Sequence, residues 1–154
     1  MPMIMHDAHG GQLLRVGDPG QGVHLLFSTP TRPYGDDPAL DIPIRAKGAW
    51  VDVKESIRTL DGDRLVEFFS SLADESSSWD EVRIWKSDEE QLRISAQRRS
   101  GGRIVLTWGI SGEVAESESA WYFETVTSHQ GDREMREFSE VFQTLFSGKS
   151  ERAA

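Results

Sequence analysis

Between residues 80 and 127, four apolar segments follow one another with little chain between them, and that spacing limits the fold more than any other feature. The segments are 80–86, 91–98, 103–110 and 119–127, joined by SDEE, RSGG and SGEVAESE. In the second, Leu92, Ile94 and Ala96 alternate with Arg93, Ser95 and Gln97; in the third, Ile104, Leu106, Trp108 and Ile110 alternate with Val105, Thr107 and Gly109. A period of two puts one set on each face of a strand. Parallel neighbours need crossovers of roughly a dozen residues or more, so these segments must pair as antiparallel hairpins.

Upstream, two short apolar runs, 12–16 and 22–28, flank GDPGQG, where Asp18-Pro19-Gly20 has the chemistry of a hairpin turn. Prolines at 30, 33, 38 and 43 make 29–40 a long loop. Residues 42–53 read as extended, with Gly48 expected to form a bulge. A helix follows, capped by Asp61 or Asp63, with Leu65, Phe68, Phe69 and Leu72 on one stripe. A second begins near Gly131-Asp132 and lines up Met135, Phe138, Val141, Phe142 and Leu145. The expected architecture is α+β: a twisted antiparallel sheet of about six or seven strands, with both amphipathic helices packed on one face. Its 154 residues suit one domain, with 1–11 and 148–154 as flexible tails.

The chain has no cysteine, which leaves out disulfides, thiolate chemistry and cysteine zinc sites, and fits a cytoplasmic location. The start lacks a basic segment followed by a long apolar run, and no stretch approaches about 20 apolar residues. A net charge of −9 repels nucleic-acid phosphates and anionic membranes and steers a basic partner inward.

Few residues propose chemistry. His6 and His9 flank Asp7 near a ragged end, short of a metal set, so neither a metal nor a cofactor is expected. His24 is expected to be structural; His129 falls in the turn before the last helix, to cap or to face water, and no catalytic triad emerges. GDPGQG leads into an extended run and not a helix, which argues against a phosphate loop. In WKSDEEQLRISAQ, Trp85 precedes Asp88, Glu89 and Glu90 in what is first of all a solvated turn. The aromatics exceed what one helix-covered sheet face requires. Trp85, Trp108 and Trp121, rimmed by Asp88, Glu89, Glu90, Glu113, Glu116 and Glu118, are therefore the expected binding residues. The other reading folds the proline-rich loop over that face as a second core layer.

The order RLVEFFSSLADESSSWDEVRIWKSDEEQLRISAQRRSGGRIVLTWGI, followed by AWYFETVTSHQGDREMREFSEVFQTL, resembles an uncharacterised actinobacterial family of small acidic proteins. Its marks are a Phe-Phe helix, a Trp-x-Ser-x-Glu turn matched by Trp85, Ser87 and Glu89, a hairpin with Gly101-Gly102 and a terminal helix. The resemblance covers about 42–146 and implies an immunity-protein-like character. With the charge and the absent catalytic set, it leads to a non-enzymatic interaction module. Such an immunity or antitoxin-like protein would bind a basic partner or associate with itself, without nucleic acid or membrane. The alternative is a small-ligand-binding protein or enzyme with a pocket between the sheet and the proline-rich loop.

Overall fold

The computed structural model describes residues 2–6, 11–20, 22–74, 81–112 and 120–147. They form two successive halves, each an antiparallel meander closed by a helix. The first half holds β1 (Pro2–His6), β2 (Gln12–Val16), β3 (His24–Ser28), β4 (Ala39–Lys47), β5 (Asp52–Leu60) and α1 (Leu65–Asp74). The second holds β6 (Arg83–Lys86), β7 (Leu92–Arg98), β8 (Arg103–Ser111), β9 (Tyr122–Gln130) and α2 (Gly131–Ser147). In each sheet the strands lie side by side in chain order. The α+β class and the 80–127 meander stand, but the single sheet of six or seven strands is replaced by two sheets, of five and four strands.

The two sheets meet at a side chain. Gln91, at the entry to β7, accepts the Arg58 N–H at 2.9 Å and donates to the Ser56 carbonyl at 3.1 Å, while its own carbonyl accepts from Ser111 at 2.8 Å. One amide thus satisfies the outer edge of β5 where a further strand would otherwise pair.

Alternation places Leu14, Val16, Leu25, Phe27, Ile42, Ile44, Ala46 and Ile57 on the inner face of the first sheet. Leu92, Ile94, Ala96, Ile104, Leu106 and Trp108 do the same for the second. Both faces close on the helix pair in one hydrophobic cluster. Phe27 meets Trp108 with ring centroids 5.8 Å apart, and Phe69 of α1 stacks on Phe138 and Phe142 of α2 at 4.7 and 5.6 Å. Aromatic contacts of this kind add about 0.5–1.5 kcal/mol each beyond the area they bury.

Three local expectations change. Residues 2–6 are not a tail: Ile4 lies opposite Leu14 and packs on the core, so β1 pairs along β2. Gly48 is no bulge, because 48–51 is the turn of a long hairpin and the Gly48 N–H donates to the Val51 carbonyl. The proline-rich loop forms no second core layer. Residues 31–38 are exposed and fastened at the far end of that hairpin, with Thr31 bridging Asp41, Arg32 pairing with Asp61, and the Tyr34 ring under Arg58.

Candidate functional site

Where β5 gives way to α1, the backbone turns left-handed for four residues: φ is 52° at Asp61, 83° at Gly62, 50° at Asp63 and 63° at Arg64. This region costs an L-residue about 1–2 kcal/mol, so surrounding bonds must hold it. The Asp61 N–H donates to the Pro38 carbonyl and the Gly62 N–H to the Thr59 hydroxyl, which donates in turn to the Leu40 carbonyl. Gly62 also lies against the Phe146 ring, where an added Cβ would sit 3.0 Å from a ring carbon.

Asp63 does not cap α1, as the sequence suggested. Its carboxylate accepts the Leu60 N–H at 3.2 Å and the Asp88 N–H at 2.7 Å, bolting the β5–α1 bend to the β6–β7 turn. Burial pushes its pKa up, and these two backbone donors work against that rise. Trp85 lies beneath the turn, 7% exposed, with its indole N–H donating to the Asp63 carbonyl at 2.8 Å. Ser87 is also buried; its hydroxyl accepts the Leu92 N–H and its carbonyl the Glu90 N–H, closing a tight turn with Glu90 at φ 59°.

On this frame Asp61, Asp88, Glu89 and Glu90 face solvent. Arg32 pairs with Asp61 and Lys86 comes within 3.7 Å of Glu90, whereas Asp88 and Glu89 have no cation within 4 Å among the described residues. The corner is therefore an acidic surface positioned by backbone hydrogen bonds, and that sort of surface raises the encounter rate of a cationic partner.

The expected binding residues divide accordingly. Asp88, Glu89 and Glu90 come together, joined by Asp61 and Asp63, which the sequence offered only as helix caps. Trp85 is the prop below them, and Trp108, at 0% exposure, belongs to the core; neither ring can reach a partner. Trp121, 38% exposed, packs over Gly112 at the same end of the four-stranded sheet, beside the exposed Tyr122, which covers Gly109. Glu113, Glu116 and Glu118 lie outside the described residues, as do Asp7, His9 and Trp79.

A second constellation went unread in the sequence. The Trp108 indole N–H donates to the Thr127 hydroxyl at 2.9 Å, Thr127 lies 2.7 Å from His129 Nε2, and His129 Nδ1 lies 2.8 Å from Glu134. Burial, foremost, lowers the pKa of His129, so its ring is neutral near pH 7. For Glu134 burial acts upward, but the His129 and Gln130 donors outweigh it and hold the carboxyl low. An ionised Glu134 can only accept, which puts the ring proton on Nδ1 and leaves Nε2 to accept from Thr127. His129 neither caps nor faces water. The order hydroxyl–imidazole–carboxylate has the sense of a nucleophilic triad, yet Trp108 occupies a lone pair of the hydroxyl and lies wholly in the core. Here the chain of bonds braces β8, β9 and the start of α2. Only the five-residue spacing of His129 and Glu134 across a strand–helix junction could have signalled it.

A family of unknown function, DUF6228, matches residues 16–149. The chain belongs to that family. The match takes in the acidic corner, the buried relay and both helices of this DUF6228 protein, and leaves β1 and most of β2 outside. No curated protein and no solved structure matches it.

Proposed function

We propose that this DUF6228 protein is a non-enzymatic interaction module that docks a basic protein partner at its acidic corner, in the manner of an immunity or antitoxin-like protein of actinobacterial origin. The observation that supports this reading is the way Asp63 fastens two turns together, holding the backbone that carries Asp88 and Glu89, whose carboxylates meet no cation within 4 Å among the described residues. Structural carboxylates normally spend their charge on a neighbouring cation or helix end. These are left to attract from outside, at little ordering cost on binding. Trp121 and Tyr122, at the same end of the sheet, supply apolar area of the kind that anchors protein interfaces.

Affinity capture from the native host tests the reading. The wild-type chain should retain a basic protein at low salt and lose it progressively as salt rises. A variant carrying Asp88→Asn, Glu89→Gln and Glu90→Gln should retain about tenfold less, in line with the roughly 1.4 kcal/mol that corresponds to tenfold. Equal retention by both chains, or a retained partner that is acidic, would refute it.

A further inference from the structure

The hairpin of β4 and β5 ends in Gly48-Ala49-Trp50-Val51, an apolar sequence at a place where turns ordinarily carry polar residues to solvate the backbone. Trp50 is 96% exposed. An exposed indole alone requires no partner, but a single ring on a protruding tip can enter a yielding medium without a fitted groove, and the charge beside it decides which medium.

The sheet face beside the tip has the opposite sign to the whole chain. Arg15 of β2 and Arg45 of β4 lie on either side of Leu26, Arg45 pairs across to Lys54 of β5, and Lys47 lies opposite His24. Alternation puts all five side chains on the outer face. Arg45 is held by Asp52 at 2.7 Å, but Arg15, Lys47 and Lys54 meet no carboxylate within 4 Å among the described residues. Among the described residues, Arg15 Nε and His24 Nδ1 are buried atoms with no hydrogen-bond partner, and Arg15 Nη2 donates to the Met3 sulfur. Burial first, then the charges of Arg15, Lys47 and Arg45, hold the His24 pKa down, against an opposing pull from Asp18. Next to them is a shallow depression of about 570 Å³ lined by Ser28, Pro43, Ile44, Arg45, Lys54, Glu55 and Ser56, where the two cations outnumber the one carboxylate.

We propose that this tip and face form a docking surface for an anionic lipid bilayer, with Trp50 entering the headgroup region and Arg15, Arg45, Lys47 and Lys54 lying over lipid phosphates. Tryptophan favours that interface because its ring is apolar and its N–H remains able to hydrogen-bond, and basic residues beside it gain from the negative surface. The net charge of −9 does not prevent this. The acidic corner is at the other end of β5, nine residues or about 30 Å away, and the screening length is about 10 Å at moderate salt.

The test uses the full chain and sedimentation with vesicles of equimolar phosphatidylglycerol and phosphatidylcholine at about 0.1 M salt, where the screening length is about 10 Å. Wild type should co-sediment with a blue shift in tryptophan emission that salt reverses, and should ignore pure phosphatidylcholine. Trp50→Ser should lose the blue shift. Lys47→Gln with Lys54→Gln should lower partitioning about thirtyfold, as two basic residues at about 1 kcal/mol each require. Both variants change exposed residues, and unchanged melting curves would show that they fold. The proposal is overturned if wild type stays in the supernatant, if either variant binds as wild type does, if pure phosphatidylcholine binds equally, or if poly-L-glutamate binds this face while vesicles do not.

Discussion

The amide of Gln91 does for β5 what a neighbouring strand does elsewhere in the sheet: it takes up the Arg58 N–H and the Ser56 carbonyl, and it is 6% exposed while doing so. Gln91→Ala would strand both backbone groups, and equilibrium urea unfolding should register a loss of about 1–3 kcal/mol. Gln91→Glu should also destabilise, because it keeps the acceptor but loses the donor and brings a carboxylate toward Glu55, whose Oε2 is 3.4 Å from the present amide nitrogen. The His129–Glu134 pair makes a pH-dependent contribution. His129 has a folded pKa below its unfolded value near 6.5, so the unfolded chain binds more protons and stability rises with pH. That contribution is complete above about pH 6.5 and is lost as pH falls from there toward the lowered folded value, at a slope of up to about 1.4 kcal/mol per pH unit. Glu134, also lowered, contributes above its ordinary carboxylate range and loses that contribution as pH falls through its folded value. Urea midpoints should therefore drop between pH 7.5 and 5.5 in wild type. In His129→Gln the drop should be smaller and the chain less stable throughout.

At the level of elements, the left-handed turn at 61–64 is the piece on which the acidic corner depends. Gly62→Ala should cost about 1–2 kcal/mol from its positive φ, with more from the Phe146 contact, and should loosen the 87–90 turn, which amide hydrogen exchange at Asp88 would report. Both helices and the second meander were legible beforehand, because Leu65, Phe69, Leu72, Met135, Phe138 and Phe142 keep a helical period while Leu92 to Ala96 and Ile104 to Ile110 keep a period of two. The continuation of β5 to Leu60 was not. Its run, DVKESIRTL, alternates weakly because Glu55 and Thr59 share a face with Val53 and Ile57, where an apolar row would have declared a strand. Asp63 was misread for a related reason. A carboxylate just before a helical stripe signals an N-cap in sequence, and only the tertiary fold reveals that its two donors are Leu60 and Asp88. Within the site, the Asp88–Glu90 turn could be seen in advance, whereas the burial of Trp85 and Trp108 could not, since a count of aromatics does not say that two sheets and not one enclose the core.

Across the whole molecule, charge is sorted along the length of the β4–β5 hairpin. Carboxylates gather where Asp61, Asp63, Asp88, Glu89 and Glu90 meet, and cations gather on the outer face near the Trp50 tip. An average of −9 conceals that division. The interaction reading requires the acidic end to attract cationic chains by itself. A nitrogen-15 NMR titration with oligolysine measures this most directly, amide by amide. Shifts concentrated at 61–64 and 87–91, with the amides of 44–54 undisturbed, are the predicted result. Shifts spread evenly over the surface, or largest away from those two turns, would contradict it.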